Sequence, residues 1–451
     1  MKKYFLLSSL VIMMFNTAIS QDTQKIIKIE VREQLKNQLN FNKQNFDFEE
    51  ALKSADKFKS LNLRGKSLEY LDRRISAFQN LEVLDLSNNQ LSSLPEEILS
   101  LKNLKIVNLS GNKFSNFPDI LLQLEKLQSI DLSRNNLRNM LLDLSKSKSL
   151  NKLILSDNYV DTLNFIKPNI SINELYISNC NLTSIPYSIS NLKSLKVLGL
   201  NNNKLITINH SLQSLKYLQK LNLLSNNISD FPDIFALQNL QYLDLSNNLI
   251  EQVNFQFKAK SDLQSLILVH NKITNFNPND CLSKLENLDL SNQNSNILNA
   301  NFEKLTKLRY LNINSIKTGK IVGLDNLTNL YSIELANLGL TSFPPYLQYY
   351  SQLKKLNLSY NYISQIPDFI SKLKELETII MIRNNVNQLP EEFCALPKLK
   401  WVMLDNNNLT SLPQSLFSNK SLKVISLRGN KFPDQVKENI MKENLDLKIS
   451  F

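Results

Sequence analysis

Residues 81–101 read LEVLDLSNNQLSSLPEEILSL, and the spacing of that stretch decides the fold. Leu84 and Leu86 stand two apart, the period of a strand whose alternate side chains share a face. Asn89, Leu91, Leu94 and Pro95 follow at offsets that recur along the chain. Copies open at Phe58, Leu81, Leu104, Leu127, Leu150, Ile172, Leu195, Leu218, Leu240, Leu263, Leu285, Leu308, Leu330, Leu353, Leu376, Leu399 and Leu422, always 22 or 23 residues apart. One copy cannot bury its apolar face alone, and only stacking makes a continuous core. Strands of successive copies are expected to pair in parallel at about 4.8 Å, so that the seventeen line an inner arc of roughly 80 Å.

After each strand the chain must turn outward and return. Pro95, Pro118, Pro186, Pro232, Pro344, Pro367, Pro390 and Pro413 share that return corner, where a fixed φ helps and no ladder N–H is needed. The asparagine leaving the strand has its own task. A primary amide both donates and accepts, so it can serve backbone groups buried in the turn. It recurs as Asn89, Asn112, Asn135, Asn158, Asn203, Asn226, Asn248, Asn271, Asn361, Asn384, Asn407 and Asn430, while Lys66, Cys180, Gln293, Ile316 and Leu338 replace it. Three of the departures are consecutive, so the asparagine ladder is expected to loosen between about Ser291 and Phe343. The segment Ile316–Gly323 in that window reads either as an irregular join or as a merely degenerate repeat.

On these residues the chain resembles leucine-rich-repeat proteins of the 23-residue type, whose motif L-x-x-L-x-L-x-x-N-x-L-x-x-L-P-x-x-I-x-x-L matches Leu81–Leu101 at every defined position. The resemblance runs from about Phe46 to the C-terminus. It implies an α/β solenoid, a horseshoe with a parallel concave sheet and an irregular or short-helical convex side. For function it implies mainly protein recognition on a curved scaffold, and a fold alone does not name a ligand.

The expected organisation is a signal peptide at 1–20, a leader at 21–45, a helical cap at 46–57, the seventeen repeats at 58–433 and a closing cap at 434–451. Lys2 and Lys3, the apolar run Phe5–Phe15 and the small residues Ala18 and Ser20 carry the signal reading. Export follows from it, with periplasmic, surface-associated and released states left open. No later stretch is long and apolar enough for an integral membrane segment. The leader reads as partly disordered, or as adding a strand through Ile26–Val31. Asp47 and Glu50 resemble a capping box before an apolar helix face at Phe48, Ala51, Leu52 and Ala55. At the other end, Val436 and Ile440 stand at helical spacing and Leu447, Ile449 and Phe451 alternate. Cys180, Cys281 and Cys394 lie four or five repeats apart, hence roughly 19–24 Å, whereas a disulfide needs Cα atoms within about 7 Å. The cysteine-clustered caps that the resemblance associates with animal extracellular relatives are missing from this sequence, which favours a bacterial exported protein.

Formal charge is +11, or 11 − 2 = +9 once Lys2 and Lys3 leave with the signal. The cations are placed on the outside: Lys102, Lys126, Lys193, Lys216, Lys284, Lys304 and Lys372 fall on return segments. The expected inner positions instead carry Asp85, Asp131, Asp244 and Asp289 among Asn62, Asn108, Asn222, Asn312 and Asn357. That distribution argues for a solubilising outer face and against nucleic acid as the partner.

Catalysis finds no constellation to work with. His210 belongs to an outer segment and His270 to a strand exit three repeats away, so they form neither an acid–base pair nor a metal site. No phosphate loop, nucleophile elbow or paired-cysteine spacing is present in the sequence, and no cofactor is implied. About twenty residues follow Asn430, too few for an appended catalytic domain. The inner face therefore carries the functional reading. In the last copies its residues turn apolar, with Ile380, Ile382, Trp401, Met403 and Val424 expected to form one patch around the chain's single tryptophan. A contiguous exposed apolar patch marks a partner, or is covered by the leader, the tail or a second copy. Ile154 with Tyr176 is a weaker second patch. A protein partner is the expectation; a glycan or envelope-polymer ligand, and an accessory or inhibitory role on an envelope enzyme, are the alternatives.

Overall fold

The computed structural model describes residues 48–230, 237–253, 261–278, 280–294, 297–443 and 447–451. The signal, the leader, Asp47 of the capping box and Pro232 lie outside the described residues. Among those described, eighteen short strands make one parallel sheet, seventeen from the repeats and Lys448–Ser450 added at the end. Each strand pairs with the next in the chain without slipping: Asn62 is level with Asp85, Asp85 with Asn108 and Asn108 with Asp131. The middle residue of every strand points inward, so Leu84, Leu221 and Leu356 are fully buried. One apolar core runs from Ala51 to Ile440. The helix Phe48–Leu52 stands at its front and the helix Asp434–Glu443 at its back.

The asparagine ladder follows from amide geometry. The Asn112 side chain donates to the Leu109 carbonyl of its own repeat (2.9 Å) and to Leu86 of the previous one (3.0 Å), while its oxygen accepts from Leu91 N–H (3.0 Å). Each amide thus stitches two repeats. Gln293 does the same work, donating to Leu268 and Leu290 carbonyls at 2.9 and 3.0 Å and accepting from Ile273 N–H at 3.0 Å. The expected three-repeat gap is therefore two repeats long, Ile316 and Leu338. Across it the concave register holds from Asn287–Asp289 through to Lys355–Asn357. The irregularity falls on the outer side, where pairing between Leu298–Asn301 and Thr318–Val322 shifts register. At Cys180 the thiol points at the Leu155 and Ser178 carbonyls, both 3.3 Å away. Burial pushes that thiol up to about 11, so it stays protonated and can donate.

The convex side divides by its corner residue. Where Pro95, Pro118, Pro186, Pro344, Pro367 and Pro413 stand, each caps a short 3-10 turn. Pro390 instead caps the short helix Glu391–Cys394. Where the corner holds Leu141 and Asn164, the returns pair as the strands Asn139–Leu142 and Thr162–Phe165. Gln252–Val253, Asn275–Phe276, Leu298–Asn301 and Thr318–Val322 form a second outer sheet. Proline has no N–H to give a ladder, so its absence permits these strands. Asp72 and Asn209 are the exceptions, because their side chains accept from Arg74 N–H at 2.8 Å and Ser211 N–H at 3.0 Å and cap turns as the prolines do. The predicted irregular or short-helical convex side is found, with two strand-bearing stretches that the repeat pattern had not announced.

Candidate concave binding face

The wall facing into the curve has a single middle row, read off the strand register. From Asn222 it runs Asp244, Ile267, Asp289, Asn312, Glu334, Asn357, Ile380, Met403, Ser426 and Ser450. The same row begins with Asn62, Asp85, Asn108 and Asp131, then passes Ile154, Tyr176 and Gly199. All nine Asp and Asn positions expected inside are therefore on it. Glu334 belongs to it too, and its place in the repeat was the signal that would have found it.

Most of these polar side chains first serve the strand exit. Asp244 and Asp289 each accept from the N–H two residues on, Ser246 and Ser291, at 2.9 Å. Asn222, Asn312 and Asn357 make the same turn at 3.0 Å. The Asp/Asn-then-Ser pattern is in this respect a turn device, and a neutral amide performs it as well as a carboxylate.

Electrostatics then separate the carboxylates. Glu334 is paired with Lys355 at 2.8 Å and accepts from Asn357 at 2.7 Å. Asp244 and Asp289 hold only neutral side-chain partners: the Ser246 and Ser291 hydroxyls at 2.6 Å, for Asp244 also the Tyr242 hydroxyl at 3.3 Å, and for Asp289 also the Asn312 amide at 2.9 Å. Burial raises the Asp131 and Asp244 carboxyls above their usual range and pushes Asp289 up to about 6. The seven outer lysines are all exposed, as their positions imply.

A concavity of about 700 Å³ extends along the C-terminal half of this wall, from Leu224 to Ser450. Ile380, Ile382, Met403 and Val424 line its far end, with Asp405 and Arg428 beside them. Ile380 is level with Met403, and Trp401 with Val424, so the register brings the expected patch together. The patch is flatter than its sequence suggests, because Ile380 is only 8% exposed. Trp401 sits at the strand-entry edge outside the concavity, with Lys400 Nζ 5.7 Å from its ring. Ile154 is level with Tyr176, whose ring lies over Gly199: a Cβ there would come within 2.9 Å of it. That second patch is walled by Lys152, paired with Glu174 at 3.1 Å. His270 occupies the concave rim and His210 an outer turn, so they share no face. Among the described residues no three His, Cys, Asp or Glu cluster as a metal site.

The feature that sequence reasoning missed is the residue before each ladder position. Its φ is positive in every copy, between 52° and 59° wherever it is not glycine. The repeated Asn-Asn pairs 88–89, 202–203, 247–248 and 406–407 carry that signal, since asparagine tolerates this region better than most residues.

Comparison with known proteins bears on the whole solenoid. A family model described as Leucine rich repeat matches residues 56–114, 79–137, 170–228 and 351–405. A second, described as Leucine Rich Repeat, matches 239–257. No curated protein sequence matches the chain. The leucine-rich-repeat protein LIC12759 of Leptospira interrogans is similar in structure, with TM-score 0.58, 26% identity, and 91% of this chain aligned to 100% of that one. TLR13, solved in complex with ssRNA13, gives TM-score 0.64 at 22% identity over 88% of this chain and 62% of its own. The functional domain of InlJ from Listeria monocytogenes gives 0.53 at 19% over 83% and 75%. The latter two share the fold.

Proposed function

The chain is a leucine-rich-repeat protein, and from that premise we propose that it is an exported, non-enzymatic scaffold that recognises a protein partner through its concave face. A stacked solenoid supports binding in general: its rigid wall is built before any ligand arrives, so little ordering cost falls on recognition. The observation that carries the protein-partner reading is the concavity whose far end joins Ile380, Ile382, Met403 and Val424 to polar groups. Aliphatic and sulfur side chains beside hydrogen-bonding groups suit the mixed surface of another protein. Trp401 and, more weakly, Ile154 with Tyr176 extend that surface toward its edges. Export rests on the composition of residues 1–20; no helix among the described residues is long and apolar enough to cross a membrane. Periplasmic, surface-associated and secreted locations are all compatible with that reading.

The test is stoichiometric capture of a partner by the full mature chain, compared with Met403→Asp and Trp401→Ala. Both variants keep the buried leucines, so unchanged thermal unfolding is expected together with at least a ten-fold loss of capture for Met403→Asp. Full capture by both would remove the concave site. A second reading, a glycan or envelope polymer, is favoured by the hydroxyl and amide groups of Tyr242, Asn312 and Asn357 along the wall. It requires sedimentation with isolated envelope polymers that is lost on changing Asn312 or Asn357 to alanine.

A further inference from the structure

Asp244 and Asp289 carry a charge the fold does not use. The turn they cap is made equally by Asn222, Asn312 and Asn357, with the same backbone bond. Keeping a carboxylate in a buried, turn-capping position costs stability unless a cation answers it. Among the described residues no Lys, Arg or His lies within ion-pair distance of either. Elsewhere on the same wall the chain supplies its own counter-charge, Lys355 to Glu334 at 2.8 Å and Lys152 to Glu174 at 3.1 Å. The concavity they line contains Asp244, Asp289 and Asp405 against one cation, Arg428, reversing the sign of a chain whose formal charge is +11. Screening over about 8 Å at physiological salt lets that local sign govern a bound group.

Spacing defines the occupant. Asp244 and Asp289 are separated by one strand, Ile267, hence by about 9.6 Å, which three residues of extended chain span. Ile380 lies six strands from Asp244, roughly 29 Å, or about nine extended residues. We propose that this half of the groove takes a cationic peptide segment of the partner in the polyproline II conformation, lying across the strands; its three-residue turn and rise of about 3.1 Å per residue bring every third side chain back to the wall. The segment carries two basic side chains three residues apart over Asp244 and Asp289, and an apolar side chain about six residues beyond the second, over Ile380 and Met403. The inference rests on the concave face being the recognition surface, and gives that surface a ligand chemistry.

The experiment is selection of random twelve-residue peptides on the immobilised mature chain, with thermal unfolding as the check on folding. Enriched peptides are expected to hold Lys or Arg at the three-residue spacing with an apolar residue farther along. Asp244→Asn and Asp289→Asn, which preserve the turn, each weaken the selected peptides about ten-fold, and selection on the double variant loses the basic pair while keeping the apolar position. Met403→Asp has the converse effect. No enrichment, enrichment without basic residues, equal binding by the Asn variants, or capture only of a cationic amino-sugar polymer would overturn the proposal. Loss of binding on Met403→Asp with none on the Asn variants would overturn the cationic claim alone and leave concave recognition standing.

Discussion

Asn361, like Asn89, serves two N–H groups and three carbonyls, and replacing it with alanine should cost more than the same change at a rung that serves a single N–H. Its amide donates to the carbonyls of Leu335 and Leu358 at 2.9 Å and of Ser359 at 3.2 Å. Its oxygen accepts from Leu338 and Leu340 N–H, both at 3.0 Å, because Leu338 occupies the ladder position of the preceding repeat and cannot help itself. Alanine leaves the Leu338 and Leu340 N–H groups and the Leu335 carbonyl unserved in a dry turn, while the Leu358 and Ser359 carbonyls keep Asn384 and Asn337 as donors. At about 1–3 kcal/mol for each buried group without a partner, with some relieved by water or local movement, the loss should be on the order of 4 kcal/mol. Asn430→Ala, at a half-buried rung with one N–H to serve, should lose roughly half of that. Urea unfolding followed by the single tryptophan, Trp401, reads the repeats just beyond Asn361. Hydrogen exchange should show lost protection centred on Leu335–Leu358. A change below about 0.5 kcal/mol, or one no larger than for Asn430→Ala, would refute the reasoning that these amides hold the stack.

Gly323→Ala should destabilise by about 3 kcal/mol or more, since its φ is +79° and a Cβ would meet Glu303 backbone N at 2.3 Å; thermal unfolding measures it. Ser225→Gly should stabilise by about 0.5–1 kcal/mol by relieving a φ of +55°, again read by the melting midpoint. For Asp289, burial lifts the folded carboxyl to about 6 from 3.8, so its charge opposes folding above that range and the opposition fades as pH falls and the folded state takes up the proton first. Asp289→Asn should therefore be more stable than the parent by on the order of 2 kcal/mol at pH 7.5, with the advantage gone near pH 4. A gain that persisted in acid would contradict that cause.

The repeat made the concave half of the fold legible in advance, because Leu84, Leu86 and their counterparts are fixed by burial and burial leaves a periodic trace. Gln293 was misjudged for a chemical reason: its longer amide reaches the same three partners from one methylene farther. The outer strands escaped notice because their cause is negative, the absence of proline at Leu141, Asn164 and the corresponding corners. On the concave wall, the register placed Met403 beside Ile380 as the strand spacing required. What spacing did not carry was depth. Trp401 lies at the edge and Ile380 is nearly covered, since how far a side chain protrudes depends on its neighbours along the wall. The unanswered charge on Asp244 and Asp289 was equally invisible, because it emerges only when Lys355 is seen to serve Glu334 and no described cation serves them.

The inner wall, and in particular its C-terminal half, is the surface proposed to meet another protein. Its most direct test is photo-crosslinking in intact cells with the reactive residue placed at Ile267 or Met403 inside and at Lys126 or Lys193 outside, the adducts identified by mass spectrometry. One protein partner is expected to be joined from both inner positions and from neither outer one. Adducts from the outer positions with none from the inner ones would contradict it.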